Sequence, residues 1–214
     1  MKKIILSALI FGLSIATYAQ SDKYAPAMKK NIAMLDSALE KGNAKEIANN
    51  FERIGDAEKT QWLPYYYAAY SQILITYTEQ DKSKVDPVAD KAEELITKAQ
   101  AIAGKENSEI AVIKSMIATA HMGVDPQSRY MKYGPAALSN IEKAKALDPT
   151  NPRPYYLDGQ QKFYTPAAFG GGKDLAKILF EKALAMYDTF KPESELHPAW
   201  GKSMAQYFLE MANK

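Results

Sequence analysis

The sequence predicts an all-α fold, an α-solenoid of about four antiparallel helix pairs closed by a C-terminal helix. The first observation is a recurring spacing, in which a small residue is followed by an apolar residue four positions on and a small residue seven positions on. Because positions i, i+4 and i+7 share one face of an α-helix, each copy predicts a helix that packs closely through that face. The second observation is that no segment shows sustained period-two alternation, which argues against β-strands.

The spacing recurs along most of the chain, as expected for a repeat protein. The clear copies are Ala92, Ile96 and Ala99, then Ala137, Ile141 and Ala144, then Ala176, Phe180 and Ala183, and a weaker copy is Ile47, Phe51 and Ile54. Each copy marks one helix of a pair.

The first two pairs follow from local start and stop signals. The first pair combines an amphipathic helix that ends at Gly42 with a helix over 44–58 that Asn43 can cap. The second pair combines an aromatic-rich helix that Thr60 can cap with a helix over 87–103.

The remaining elements are set by prolines and glycines. The third pair combines a helix over 108–123 with one that begins at Pro135, and the fourth combines a helix that begins at Pro154 with one over 173–187. A final helix, which begins at Pro198, is expected to cap the solenoid.

Three linkers inside the pairs are longer than the turns between pairs. They cover 79–86, 124–134 and 165–172. Linkers in equivalent positions gather on one edge of a solenoid, where repeat proteins often bind, or they are tolerated length variation with a small entropic cost.

The first 19 residues have the pattern of a secretory signal peptide. Lys2 and Lys3 precede an apolar run over 4–16, and Ala19 ends a small-residue cleavage site. The run is shorter than the roughly 20 residues that cross a bilayer. The chain has no cysteine, so a lipoprotein anchor and disulfides are both excluded. We therefore expect one mature domain, 20–214, that is periplasmic or secreted without a stable membrane anchor.

The charge balance argues against nucleic-acid binding. The chain has 27 basic and 25 acidic residues, and removal of Lys2 and Lys3 with the signal peptide makes the two numbers equal. Since a phosphate-binding surface needs clustered lysines and arginines, and no long basic run occurs, nucleic acid is not an expected partner.

The chain lacks the usual parts of an active site or a metal site. His121 and His197 are its only histidines, neither has an acidic residue at a metal-ligand spacing, and no Gly-x-Ser-x-Gly motif occurs. We predict no enzyme, no cofactor and no metal.

The helix pairs resemble the tetratricopeptide repeat (TPR) family. Fragments of its first-helix pattern are Trp62 with Tyr66, Tyr155 with Gly159, and Trp200 with Tyr207. The resemblance implies a right-handed superhelix that binds a protein or peptide partner in its concave groove. Helix phase assigns partner contacts to Tyr65, Tyr67, Lys114, Arg153 and Lys162, and places Tyr66 and Tyr70 in the core.

A second, shorter stretch is similar to the TPR-type T-component proteins that accompany some periplasmic solute transporters. It contains Tyr164-Thr165-Pro166, three glycines and the Ala176, Phe180, Ala183 helix. The resemblance implies a site for an apolar ligand, with a possible pocket at Phe163, Tyr164, Phe169, Gly170, Gly171 and Gly172. The glycines are otherwise a flexible turn; they are not a phosphate loop, because no strand precedes them and Asp174 replaces the required hydroxyl residue.

Three functions remain open on the sequence alone. The first is an exported scaffold for a protein or peptide partner in the cell envelope, bound in the groove or along the long-linker edge. The second is a periplasmic carrier of a small apolar ligand, associated with a transporter. The third is a structural role in a homo-oligomer.

Overall fold

A computed structural model describes residues 21–214 of the protein, and the predicted signal peptide, 1–19, lies outside the described residues. Residues 21–214 form ten α-helices and no strand. The helices are α1 (Tyr24–Leu35), α2 (Ala38–Lys41), α3 (Ala44–Glu58), α4 (Leu63–Thr78), α5 (Val85–Ala103), α6 (Ser108–Val124), α7 (Pro126–Leu147), α8 (Arg153–Tyr164), α9 (Lys173–Tyr187) and α10 (Lys202–Ala212). Short 3-10 turns occupy Lys82–Lys84 and Ala167–Phe169.

The predicted fold class is confirmed. Sequential antiparallel pairs are formed by α1 with α3, α4 with α5, α6 with α7, and α8 with α9, and α10 packs against the last pair. None of the described helices is long and apolar enough to cross a bilayer.

The recurring small and apolar residues form the seams between helices. Ala92, Ala137 and Ala176 are fully buried, as are Ile141 and Phe180. Small side chains let neighbouring helices approach, and the larger residue fills the space between them.

The first helices of successive pairs form one layer of the solenoid. Helix α1 contacts α4, α4 contacts α6, and α8 contacts α10. Gln161 of α8 donates a hydrogen bond to the Thr119 hydroxyl of α6 at 3.2 Å, which joins the two halves of the layer. We call the exposed side of this layer the inner surface.

Three predicted boundaries need correction. The first predicted helix is divided, because the chain bends between α1 and the short α2 before Gly42 ends it in a left-handed conformation (φ 64°). The predicted linker over 124–134 is mostly helix: Asp125 caps α7, and Gly134 accommodates the Tyr130 ring, which an added Cβ would approach to 2.9 Å. Pro135 is tolerated inside α7.

The predicted final helix is the third correction. It begins at Lys202 rather than at Pro198, because Gly201 adopts a positive φ of 111°. Residues 188–201, including Trp200, are therefore irregular. We call residues 188–201 the strap.

Candidate functional site: an open aromatic groove beside the strap

The strap covers the part of the inner surface at the start of α4. Tyr67 donates a hydrogen bond to the Leu196 carbonyl at 3.0 Å, and Trp200 donates one to the Tyr66 hydroxyl at 2.9 Å. The Trp200 ring also stacks on Tyr70, with 4.4 Å between ring centroids. This part of the inner surface is therefore filled by the chain itself.

The tyrosines of α4 lie in the core as a consequence. Tyr66 and Tyr70 are buried, which agrees with their prediction as core residues. Tyr65 and Tyr67 are also buried, and Tyr65 donates a hydrogen bond to Asp56 at 2.7 Å. The predicted partner contacts at Tyr65 and Tyr67 are therefore corrected, since neither ring reaches the surface.

Arg153 requires the same correction. Its side chain is fully buried beneath the strap, where its guanidinium lies 4.9 Å from the Phe190 ring centroid and 5.7 Å from that of Trp200. Glu109 accepts hydrogen bonds from its Nε and Nη2, whereas Nη1 has no partner within residues 21–214. Burial opposes the charge of Arg153, but the attraction of Glu109 outweighs it and raises the pKa of the guanidinium.

The two predicted lysine contacts lie elsewhere. Lys114 forms an ion pair with Glu106 at 2.9 Å, and Lys162 donates a hydrogen bond to the Gly170 carbonyl at 3.0 Å. The structure does not bring Lys114 and Lys162 together with Tyr65, Tyr67 and Arg153 on one accessible surface.

Beyond Trp200 the inner surface is open and aromatic. We call this part the aromatic groove, and its residues come from α4, α8 and α10: Tyr77, Tyr156, Phe163, Tyr164, Tyr207 and Phe208. The Phe208 centroid lies 5.7 Å from Phe163, 6.0 Å from Tyr164 and 6.3 Å from Tyr156. Tyr156 and Phe208 are buried and form the floor, whereas Tyr77, Tyr164 and Tyr207 are exposed.

Tyr77 combines exposure with a strongly desolvated environment. Its side chain is 51% exposed, yet desolvation raises its pKa well above the ordinary value. Tyr77 also contributes to the raised pKa values of Tyr70 and Tyr156, after the larger effect of burial, so it lies near both.

The tyrosine hydroxyls of the groove are free to meet a ligand. Within residues 21–214, those of Tyr77, Tyr156 and Tyr164 have no hydrogen-bond partner, and that of Tyr70 beside them has none either. Met204 lies one turn before Phe208 on the same face of α10 and is 44% exposed. The groove therefore offers rings, a thioether and unpaired phenols.

Part of the predicted ligand pocket lies at this groove. Phe163 and Tyr164 belong to it, with 5.2 Å between their centroids. Phe169 is 79% exposed in the following turn. The glycines fold back on the end of α8, where Gly172 donates a hydrogen bond to the Lys162 carbonyl at 2.8 Å, and an added Cβ on Gly171 would lie 2.1 Å from the Thr165 carbonyl.

The sequence-based prediction missed Tyr77, Tyr156, Tyr207 and Phe208. A helical signal for Tyr77 was present, because it lies seven residues after Tyr70 and so on the same face of α4. Phe163 stands in the same relation to Tyr156 on α8. Helical periodicity gives no information about the position of the strap. The strap determines which part of the inner surface stays open.

Both histidines are engaged outside the groove. The His121 Nδ1 lies 2.8 Å from an Asp86 oxygen and its ring stacks on Tyr133, whereas the His197 Nδ1 lies 2.8 Å from the Ser194 hydroxyl. No group of three or more His, Cys, Asp or Glu side chains in the described part of the chain is arranged to hold a metal ion.

Two open depressions lie away from the aromatic groove. One, of about 370 Å³, is bordered by Gln100, Lys105 and Lys114, and the other, of about 460 Å³, lies between α1 and the strap beside Tyr24 and His197. We favour the aromatic groove as the binding site because it presents a continuous set of rings, which the first depression lacks and the second provides only at its edge.

Comparison with known proteins adds one match. No protein-family model and no curated protein matches the chain, so the TPR resemblance stays a prediction. Among solved structures, the chain is similar to the HusA haemophore from Porphyromonas gingivalis, with a TM-score of 0.80 and 35% sequence identity. The match covers 91% of this chain and 94% of that chain.

Proposed function

This chain belongs to the family of the HusA haemophore, and from that premise we propose that it is an exported carrier of haem. The observation that carries the proposal is 35% identity to a haemophore over 94% of that protein's chain. A haemophore is a carrier, which agrees with the prediction that this chain is not an enzyme. Of the functions left open by the sequence, the carrier of a small apolar ligand is favoured.

The aromatic groove is the proposed haem site. Haem is a flat apolar macrocycle, and aromatic rings favour offset or edge-on contact with such a surface. Tyr77, Tyr164 and Tyr207 expose large ring surfaces above the buried floor of Tyr156 and Phe208. A ligand that covers these rings removes apolar area from water, which favours binding by about 25 cal/mol for each Å² buried.

The predicted signal peptide supports an exported role. A carrier that collects haem outside the cytoplasm requires export, and residues 1–19 have the corresponding pattern. We retain the proposals that the mature domain is 20–214, that it is periplasmic or secreted, and that its pairs are TPR-like.

A peptide bound along the whole inner surface is less favoured. The strap fills one part of that surface, and the three residues expected to provide much of the contact, Tyr65, Tyr67 and Arg153, are buried. A protein partner that receives the cargo would therefore contact a surface other than the part of the inner surface that the strap fills.

Titration with haemin tests the proposed function. We expect mature protein, 20–214, to bind haemin with a saturable shift of the Soret band. The double substitution Tyr164→Ala and Tyr207→Ala should weaken binding roughly 30-fold, because each lost ring contact is worth about 1 kcal/mol. Both side chains are more than half exposed, so the fold should be little affected.

Tyr130→Ala is the matched control. Tyr130 is 49% exposed on α7, outside the aromatic groove, and its loss should leave haemin affinity unchanged. Failure of the unmodified protein to bind haemin would overturn the proposed function. An equal loss in the control and the double variant would overturn the location of the site.

A further inference from the structure

Trp200 lies at the boundary between the part of the inner surface that the strap covers and the aromatic groove. Its ring stacks on Tyr70 of α4, with 4.4 Å between the ring centroids and 15° between the ring planes. The guanidinium carbon of Arg153, in the first turn of α8, lies 5.7 Å from the centroid of the Trp200 ring. Trp200 therefore contacts both α4 and α8, and these two helices also supply residues of the groove.

Helices α4, α6 and α8 run in the same direction away from this boundary. Their first turns meet at Glu109 of α6, which accepts hydrogen bonds from the Tyr66 hydroxyl at 3.1 Å and from the Arg153 Nε at 2.9 Å. The bond from Gln161 to α6 joins the far ends of α8 and α6. Residues that come later in α4 and α8 therefore lie farther from Trp200.

The open groove begins directly after this boundary. On α8, Tyr156 follows Arg153 by three residues, so it lies on nearly the same face one turn farther along. From Tyr156 to Phe163 the helix advances by roughly 10 Å, which is comparable to the width of a porphyrin ring. A macrocycle that lies on the floor of the groove therefore has one edge beside Trp200.

Trp200 is held firmly but is only partly buried. Its indole N–H donates a hydrogen bond to the Tyr66 hydroxyl at 2.9 Å, and its carbonyl accepts one from the Tyr187 hydroxyl at 3.1 Å. A Cβ added to the next residue, Gly201, would lie 2.1 Å from the same Tyr187 oxygen. Tyr66 and Tyr70 are buried, whereas the Trp200 side chain stays partly exposed. Since its partners lie on the covered side, the exposed part of the ring faces the groove.

We infer that Trp200 forms the end wall of the aromatic groove and contacts the edge of bound haem. This inference rests on the proposed haem-carrier function. The hydrogen bond to Tyr66 and the stack on Tyr70 already hold the ring, so contact with a flat ligand costs little side-chain freedom. The strap is thus part of the binding site as well as a cover for the inner surface.

The two tryptophans of the chain allow the contact to be tested by NMR. Each gives one indole N–H signal, and Trp62 lies beside His197, at another part of the strap. The probe is gallium(III) protoporphyrin IX, which is diamagnetic and has the shape and charge of ferric haem. We expect its ring current to shift the Trp200 signal by several linewidths and to leave the Trp62 signal in place.

Leucine substitutions assign the two signals and measure the contribution to affinity. Trp200→Leu keeps an apolar side chain and removes the aromatic wall, so we expect it to weaken haemin binding about fivefold to tenfold, the loss of one aromatic contact. Trp62→Leu is the matched control and should bind haemin as the unmodified protein does. Unfolding midpoints should show that both variants are folded.

An unshifted Trp200 signal in unmodified protein saturated with the gallium porphyrin would overturn the inference, and this result depends on no variant. Unchanged haemin affinity in Trp200→Leu, or an equal loss in Trp200→Leu and Trp62→Leu, would also overturn it.

The same measurements distinguish this inference from the proposed function. If the unmodified protein binds neither haemin nor the gallium porphyrin, the haem-carrier function fails and the assignment of Trp200 fails with it. If the unmodified protein binds both ligands and the Trp200 signal does not move, only the assignment of Trp200 fails.

Discussion

Gly159 is a residue at which α8 packs closely against α9. A Cβ added there would lie 2.5 Å from the ring of Phe180, which is fully buried and stacks on Phe208 at 5.7 Å. We expect Gly159→Ala to lower the free energy of unfolding by about 1 to 3 kcal/mol through overpacking, despite the better helix propensity of alanine. Urea unfolding measures the change.

Gly123→Ala provides the opposite case. Gly123 lies in α6, and no atom comes within 4 Å of an added Cβ there. The substitution should raise the free energy of unfolding by up to about 1 kcal/mol, the gain in helix propensity alone. Equal effects at the two glycines would show that the Phe180 contact does not determine the result.

At single positions, periodicity predicted which repeat residues are buried between neighbouring helices. It did not predict which first-helix residues are buried by a distant segment of the chain. The small and apolar residues of the repeat, such as Ala137 and Ile141, are buried as their spacing indicated. Arg153 and Tyr67 were predicted to be accessible because they lie on first helices. Both are buried by contacts with the strap, which is 35 or more residues away in the chain, and helix phase contains no information about such contacts.

Helix α7 is the element that differs most from its prediction, and its first turns are tied to α5 and α6. Arg129 donates two hydrogen bonds to Asp86, at 2.7 and 2.8 Å, and the Asp86 carboxylate also contacts His121. The bonds from Arg129, and then the contact with His121, lower the pKa of Asp86 to about 2. The extended start of α7 is therefore docked rather than free.

This contact predicts a defined pH dependence of stability. The pKa of Asp86 in the folded state lies below the unfolded value of about 3.9, so its stabilising effect is complete above that pH and is lost as the pH falls through 2. We expect Asp86→Asn to lower the thermal midpoint by about 2 to 4 °C near pH 5. The difference from the unmodified protein should shrink between pH 4 and pH 2.

Thermal unfolding monitored by circular dichroism across this range checks the prediction. Asp22→Asn removes an exposed carboxylate ahead of α1 and should have little effect at any pH. A difference between Asp86→Asn and the unmodified protein that stays constant from pH 5 to pH 2 would contradict the assigned role of Asp86.

The boundaries of other elements followed the strength of their local signals. Gly42 ends a helix in a left-handed conformation, as the sequence indicated, and Gly104 does the same directly after the helix predicted over 87–103. The final helix was extended too far because Pro198 is a good first residue and Trp200 completes a helical spacing. The contacts of Trp200 with Tyr66 and Tyr70 hold it in the strap instead.

At the scale of the molecule, the sequence predicted the all-α fold of antiparallel helix pairs, and two residues of its predicted ligand pocket lie in the aromatic groove that we propose as the binding site. Phe163 and Tyr164 were identified, since they lie in one short segment beside a recognisable glycine turn. Phe208 of α10 meets them only through the packing of α10 on the last helix pair, and Tyr77 of α4 comes near Tyr156 only through the stacking of successive pairs. A site assembled from distant segments depends on tertiary packing, which no local pattern contains.

The strap also changes how the whole chain is expected to unfold. In an open solenoid each repeat touches only its neighbours, so the ends can melt independently. Here an ion pair joins Lys29 of α1 to Glu195, while Tyr67 of α4 and Arg153 of α8 contact other residues of the same segment. Because these contacts connect the first pair to the last, their loss should release all pairs together.

The two tryptophans allow this cooperativity to be measured directly. The ring centroids of Trp62 and His197 of the strap are 5.9 Å apart, and Trp200 is part of the strap. The fluorescence of the two tryptophans therefore reports detachment of the strap. We expect the fluorescence and helical circular dichroism transitions in urea to coincide. Separate transitions would mean that the strap opens before the helices unfold. Coincident ones would mean that a repeat protein has acquired the all-or-none unfolding of a closed globular domain.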